Sequence, residues 1–195
     1  MKKLGLPIPP GIIITTEAWK EYCRSKTLSE DLKTEIAEKL KAVEKESGKV
    51  FGGRSNPLLV SVRSGAPVSM PGMMDTILNL GLNDVTVIGL TEQTNDEKFA
   101  YNCYWRFVNA FSRIVLNVGE DRLKGILENY MRKLCFKTEA ELDVNALREI
   151  VREHKALVEE ETGKKFPDDV YDQLFSAVRA VFDSWFSQRA ITYRQ

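Results

Sequence analysis

The sequence contains few of the residues that several classes of functional site require. Its 195 residues include one histidine and three cysteines, and its formal net charge is zero. A balanced charge argues against a dedicated nucleic-acid binder, which usually carries a basic stripe. No apolar run approaches the roughly 20 residues that a membrane-spanning helix needs. We therefore expect neither a nucleic acid nor a membrane as a partner.

The scarce residues also lack the spacing of a reactive or metal site. Cys23, Cys103 and Cys135 are scattered along the chain, which suits small apolar packing residues in a reducing compartment and predicts a cytoplasmic location. His154 falls on the apolar stripe of a predicted helix, so we interpret it as a packed structural histidine rather than as part of a nucleophile–base pair. No carboxylates cluster at metal-ligand spacing. The sequence predicts no catalytic residue and no metal ligand in this chain.

Residues 58–82 predict a β-hairpin with an unusual arginine. The apolar run of residues 58–62 is typical of a short buried strand, and Arg63 follows it directly. A guanidinium at that position needs an anion or solvent, and its planar fork suits a phosphate. A loop with glycines and prolines follows, and Thr76–Leu82 alternates like a returning strand. One face of that strand is predicted to carry Leu78, Leu80 and Leu82.

This hairpin has two interpretations. It can cover the phosphates of a nucleotide, because glycines let backbone N–H groups approach a ligand and prolines stiffen the loop. It can also be an ordinary hairpin whose Arg63 pairs with a surface carboxylate. Short glycine motifs match by chance often. Spacing alone favours the ordinary hairpin.

The rest of the first half alternates strand and helix signals. Ile12–Ile14 predicts a short apolar strand, and Thr15 or Thr16 is expected to cap the helix that follows. Thr27–Glu30 fits a capping box at the start of a second helix, which Gly48 is expected to end. We therefore expect an α+β layer in residues 1–94.

The second half, residues 95–195, predicts a helical subdomain. Asp84 is a candidate N-cap, and Asn95 or Asp96 is expected to open a long helix. Three further helices follow, the second of them starting at Asp143. Their apolar stripes predict a bundle inserted into, or packed beside, the α+β layer. The long helix is predicted to pack through Phe99, Cys103, Phe107, Ala110, Phe111, Ile114 and Val118.

Three motifs in and after the hairpin resemble one family specifically. Val60–Ala66, Ser69–Thr76 and Asn79–Asp84 are similar to the ATP-binding domain of pyruvate, phosphate dikinases. The resemblance extends over the whole chain, with supporting matches at Gly5–Gly11, Phe99–Tyr101 and Arg189–Arg194. It implies a partial ATP-grasp-like nucleotide-binding subdomain with an inserted helical bundle. It also implies that Arg63 contacts ATP phosphates and that the ATP-binding residues are Arg63, Ser64, Gly65, Gly72, Met73, Met74, Asp75 and Thr76.

The resemblance further implies a reaction to which this chain contributes a part. The family converts ATP, phosphate and pyruvate to AMP, diphosphate and phosphoenolpyruvate through a phosphohistidine, with Mg²⁺ and in a homodimer. Its glycine-rich lysine segment, its acidic Mg²⁺ ligands, its central phosphohistidine domain and its C-terminal pyruvate domain have no counterpart here. We therefore expect a phosphotransferase segment without turnover of its own. The alternative is a stand-alone module that binds a nucleotide or a protein without catalysis.

Overall fold

The chain folds into eight α-helices and four short strands within the residues that the structure describes. The computed structural model describes residues 8–65 and 74–194, the last two of these by their backbone only. This mixture of helices and small sheets confirms the predicted α+β class. The elements are α1 (Thr16–Ser25), α2 (Glu30–Ser47), β1 (Val50–Phe51), β2 (Pro57–Leu58), β3 (Val60–Arg63), β4 (Thr76–Leu80), α3 (Thr86–Thr94), α4 (Glu97–Ile114), α5 (Glu120–Lys133), α6 (Val144–Thr162), α7 (Val170–Ser184) and α8 (Gln188–Arg194).

The strands form two separate pairs. β1 and β2 pair in parallel, whereas β3 and β4 form the antiparallel hairpin that the sequence predicted. Val60 pairs with Leu80 but Val62 pairs with Ile77, so β4 holds one residue more than β3 between these two pairs. Asn79 adopts the left-handed conformation, with φ of 58°, inside this bulge.

The bulge explains why the predicted burial of Leu78 in β4 is wrong. Leu78 is 55% exposed and does not share a face with Leu80 and Leu82, which are fully buried. Ile77 takes its place in the core at 0% exposure. One extra residue in a strand shifts the alternation of side chains by one position. Odd-numbered residues therefore face the core on one side of the bulge, and even-numbered residues face it on the other.

Ile12–Ile14 forms no strand, contrary to the prediction. The segment is not assigned to any helix or strand, and it pairs with no strand among the described residues. Ile12 and Ile14 still pack against a hydrophobic cluster, while Ile13 is 90% exposed. The alternation is therefore strand-like, but a β-ladder also needs a neighbouring backbone.

Most helix boundaries follow the predicted capping chemistry. Gly48 ends α2 with φ of 68°, and the Asp96 and Asp143 side chains accept hydrogen bonds from the first turns of α4 and α6. Two caps differ from the prediction. α2 is capped by Ser29 rather than by a box beginning at Thr27. The second is the cap before α3, which is the side chain of Asn83.

Asn83 takes the capping role that the sequence suggested for Asp84. Its carboxamide oxygen accepts hydrogen bonds from the backbone N–H groups of Val85 and Thr86, each at 2.9 Å. The Asp84 carboxylate instead accepts from the Tyr104 hydroxyl at 2.8 Å. Adjacent Asn and Asp residues are both good caps, so only the geometry of the turn separates them.

The core consists of two clusters that share one strand. The first joins β4 and α3 to α4 and α6, and the second joins α1, α2, β1 and β2 to α7. Val60 and Val62 of β3 pack against both clusters. Both clusters contain residues from either side of position 94, and the division of the chain at that position stays a prediction.

The aromatic residues of α4 serve packing, as predicted, but the stripe is placed differently. Phe107 and Phe111 are buried and contact Phe166 at ring-centroid distances of 5.9 and 5.2 Å. Phe99, which was predicted to belong to the stripe, is 50% exposed. It lies in the first turn of α4, where few side chains of other elements cover it.

In the described residues, no helix has both the length and the apolar character needed to cross a bilayer.

Candidate functional site

Arg63 ends β3 and lies directly opposite Thr76, the first residue of β4. Both side chains are exposed at the loop end of the hairpin. The strand residue before Arg63, Val62, is half-buried and packs against the core. The pleat that points Val62 inward therefore sends Arg63 toward solvent, where its guanidinium is accessible to an anion.

The Arg63 side chain has no ion pair and no hydrogen bond with any residue of segments 8–65 and 74–194. Several other arginines have carboxylate partners: Arg122, for example, lies 2.8 and 2.9 Å from the carboxylates of Glu160 and Glu161. The ordinary interpretation of the hairpin requires a surface carboxylate for Arg63, and none is found in the described part. An unpaired guanidinium retains its five donors for a ligand such as a phosphate group.

The hairpin brings six of the eight predicted site residues to one end. Ser64 and Gly65 follow β3, and a Cβ at Gly65 would meet no heavy atom of the described residues within 4 Å. Met74 and Asp75 precede β4 and are half-buried, and Thr76 begins it. The remaining two predicted residues, Gly72 and Met73, lie outside the described residues.

Sequence reasoning missed the partner of Asp75. The Arg189 guanidinium donates to the Asp75 carboxylate, with Nη2 and Oδ1 separated by 3.2 Å. The two residues are 114 positions apart, and Arg189 lies in the first turn of α8. The only available signal was that Arg189–Arg194 is one of the segments that resemble the family.

Comparison with known proteins shows which family the chain matches. Residues 23–195 match the family described as "Pyruvate phosphate dikinase, AMP/ATP-binding domain".

The chain belongs to this family.

Curated pyruvate, phosphate dikinases match the whole chain. The protein of Entamoeba histolytica is 50% identical over 196 residues, that of Giardia intestinalis 45% over 194, and that of Clostridium symbiosum 44% over 197. In each case the match covers 100% of this chain and 22% of the relative. The chain thus spans about a fifth of these relatives, and it corresponds to their AMP/ATP-binding domain. The resemblance is confirmed, and the alternative of a stand-alone module is not favoured.

The single histidine of this dikinase-family chain is structural, as the sequence predicted. His154 is fully buried, and its Nε2 lies 3.2 Å from the Leu123 carbonyl oxygen. With Nε2 as the donor, Nδ1 carries the lone pair, and it has no hydrogen-bond partner in the described residues. Burial lowers the pKa of the imidazole below its usual value. A buried neutral ring is unsuited to receiving a phosphoryl group from a ligand in solvent.

A second polar cluster, away from the hairpin end, connects the helices. The Lys155 ammonium lies 2.9 Å from the Asp84 carboxylate and 3.4 Å from that of Asp168. Its Nζ also lies over the Tyr104 ring, 5.4 Å from the centroid. Burial, together with the neighbouring Asp84 carboxylate, raises the pKa of Tyr104 far above its usual value. These contacts hold α4, α6 and two loops together and supply no nucleophile.

The described residues do not fit a divalent cation. They contain no group of three or more His, Cys, Asp or Glu side chains that could hold a metal ion. Asp75, the acid nearest the hairpin end, is already paired with Arg189. The described residues therefore offer no assembled set of ligands for Mg²⁺.

Proposed function

We propose that the loop end of the β3–β4 hairpin binds the polyphosphate of ATP, and that Arg63 is its principal ligand in this chain. The observation that carries the proposal is the exposed Arg63 guanidinium, which has no ion pair among the described residues. Membership of the AMP/ATP-binding family supports a nucleotide as the anion. The accessible backbone after Arg63, at Ser64 and Gly65, can add N–H donors to the same phosphates.

The names of its relatives support a proposal for the reaction to which this segment contributes. We propose that it acts within a pyruvate, phosphate dikinase, which forms AMP, diphosphate and phosphoenolpyruvate from ATP, phosphate and pyruvate through a phosphohistidine. Catalysis of phosphoryl transfer rests on positioning and on neutralising charge at the phosphate oxygens. Arg63 supplies both: two parallel N–H groups orient a phosphate, and the positive charge offsets the negative charge of its oxygens. Mg²⁺, the phosphohistidine and the pyruvate site belong to other parts of such an enzyme.

Direct binding measurements test the role of Arg63. ATP binding to this chain is measured by equilibrium dialysis at millimolar nucleotide, with AMP as the comparison ligand. A charge-assisted hydrogen bond contributes about 1.5–3 kcal/mol, so Arg63→Ala should weaken ATP binding roughly ten- to hundredfold. AMP binding should fall less, because AMP lacks the outer phosphates. Arg63→Lys should not restore ATP affinity fully, since an ammonium lacks the planar fork.

The control variant is Arg113→Ala. Arg113 is also a partly exposed arginine, at the end of α4 and 3.8 Å from Glu120. Arg113 belongs to α4 and not to the hairpin. The Arg113→Ala variant should therefore bind ATP with the affinity of the wild-type chain. Absence of ATP binding by the wild-type chain, or equal losses in Arg63→Ala and Arg113→Ala, would contradict the proposal.

Activity is tested in a longer protein. This chain is inserted in place of the matching segment of the Entamoeba histolytica relative, and ATP-dependent formation of phosphoenolpyruvate is measured. Arg63→Ala in this chimaera should strongly reduce the ATP-dependent reaction. Exchange between pyruvate and phosphoenolpyruvate, which does not use ATP, should be spared. Equal damage to both reactions would indicate misfolding and refute the assignment. The isolated chain should show no pyruvate-dependent AMP formation.

A further inference from the structure

We propose that the ion pair between Asp75 and Arg189 positions Arg63 for polyphosphate binding by fixing the start of β4 to helix α8. The inference rests on the proposed function of Arg63. Neither Asp75 nor Arg189 contacts the ligand in this proposal. Both act through the hairpin end and are positioning residues.

The connection from Asp75 to Arg63 is short. Asp75 immediately precedes Thr76, and Thr76 is the cross-strand partner of Arg63. Among the described residues this is the last ladder pair before the connecting loop, and the terminal pair of an antiparallel ladder opens more easily than an interior pair. An ion pair at Asp75 restrains β4 at that point and thereby keeps Arg63 opposite Thr76.

Arg189 provides a fixed attachment point because α8 is anchored in the core. Ala190, the residue that follows Arg189 in α8, is fully buried. The segment leading into α8 packs on α1: Trp19 stacks on Phe186 at a centroid distance of 5.9 Å and contacts Trp185 edge-on at 5.6 Å. The chain that enters α8 is thus held against α1.

The end of α7 is also tied to α1 by hydrogen bonds. The Tyr22 hydroxyl donates to the Asp183 carboxylate at 2.8 Å, and the Trp19 indole N–H donates to the Phe182 carbonyl at 3.4 Å. These contacts fix the chain just before α8. The Asp75–Arg189 pair consequently links the hairpin end to a supported helix rather than to a loose C-terminal turn.

Charge argues that Asp75 serves as an anchor rather than as a ligand. A free carboxylate beside Arg63 would repel phosphate oxygens and would compete for the guanidinium. Pairing with Arg189 offsets that charge, and Arg63 has no ion pair with Asp75 or with any other described residue. Asp75 is 23% exposed and Arg189 59%, so the carboxylate is the more enclosed partner.

The test separates positioning from general stability with single and charge-swapped variants of the ion pair. ATP binding by the chain is measured for Asp75→Asn, Arg189→Gln and the charge-swapped double variant Asp75→Arg with Arg189→Asp. Each single change should weaken ATP binding by up to about fivefold, the range that an exposed ion pair allows. The charge-swapped variant should recover part of this loss. Glu139→Gln, which removes the exposed ion pair of Glu139 with Arg106, is the matched control and should change nothing.

The decisive measurement repeats Asp75→Asn in an Arg63→Ala background. If Asp75 acts through Arg63, the second substitution should add no further loss of ATP affinity. Additive losses would overturn the inference, because they would show an effect independent of Arg63. Higher ATP affinity of Asp75→Asn would also overturn it, since the carboxylate would then only repel phosphate. Normal ATP binding by both single variants would refute positioning while leaving the proposed function intact. A wild-type chain that binds no ATP would refute both.

Discussion

Gly89 of α3 lies against the backbone of Arg54, in the connection between β1 and β2. A Cβ built on Gly89 would lie 1.6 Å from the Arg54 carbonyl oxygen and 3.2 Å from Cδ of Pro57. A helix can approach a backbone this closely only where it has no side chain. Gly89 thus allows α3 to pack directly on the segment that leads into β2 and the hairpin.

Replacement of Gly89 by alanine should therefore destabilise the protein despite the better helix propensity of alanine. The added methyl group meets backbone atoms, which cannot rotate away, and overpacking of this kind costs about 1–3 kcal/mol or more. The matched control is Gly125→Ala in α5, where a Cβ meets no described heavy atom within 4 Å. That change should raise the free energy of unfolding by up to about 1 kcal/mol. Urea unfolding of both variants checks the opposite signs.

Gln173 should be among the least replaceable polar residues. It is fully buried, accepts a hydrogen bond from the Gly81 N–H at 3.3 Å, and donates to the carbonyls of Leu82 and Pro167. Gln173→Leu leaves these backbone groups without that partner, and each unsatisfied buried group costs about 1–3 kcal/mol. We expect a loss of at least about 2 kcal/mol in urea unfolding. Gln93→Leu, at an exposed position in α3, should stay within about 0.5 kcal/mol of the wild type. Similar losses in both variants would contradict this interpretation.

His154 should make the protein less stable as the pH falls below about 6.5. Burial lowers the pKa of the folded imidazole below its value in the unfolded chain, which is near 6.5. Between these two pKa values the unfolded state binds more protons, so stability rises with pH there and is fully present above 6.5. The slope of unfolding free energy against pH in this window should flatten in His154→Gln.

An NMR titration provides an independent check on His154. Because it is the single histidine of the sequence, its ring protons give an unambiguous signal. The ring should titrate below pH 6.5 in the folded protein, even though the neighbouring Glu153 carboxylate favours the charged form. Titration at or above pH 6.5 would show that burial does not dominate.

Ile13 should promote self-association of the isolated chain. It is 90% exposed in a segment that belongs to no helix or strand and pairs with no strand among the described residues, so its backbone is available for pairing with another chain. Ile13→Lys should lower the apparent mass in concentration-dependent light scattering. Ile88→Lys is the control, because Ile88 is exposed on a helix, whose backbone is already hydrogen-bonded. A wild-type chain that stays monomeric over a wide concentration range would argue against the prediction.

The features predicted correctly from the sequence depend on local interactions. Asp96 and Asp143 cap helices through hydrogen bonds that span three residues, and Gly48 adopts a backbone conformation that favours glycine. The hairpin was found because its strands adjoin one loop. These signals lie within a few residues of each other and need no tertiary contact.

The features that were predicted wrongly, or missed, depend on distant parts of the chain. Ile12–Ile14 has the composition of a strand, but a strand exists only when another backbone pairs with it. The burial of Leu78 was assigned from strict alternation, which the bulge at Asn79 interrupts. Arg189 reaches Asp75 across 114 positions, and no spacing rule connects them.

Val60 and Val62 of β3 pack against both hydrophobic clusters, and this shared contact affects the stability of both. Loosening either cluster removes support from β3, the strand that ends in Arg63, so the two clusters are thermodynamically coupled through it. If ATP binds at Arg63 as proposed, it binds the state in which both clusters are intact, and mass action then favours that state. Melting of the α1–α2 region, far along the chain from Arg63, should therefore shift to higher temperature together with the rest of the protein when ATP is added.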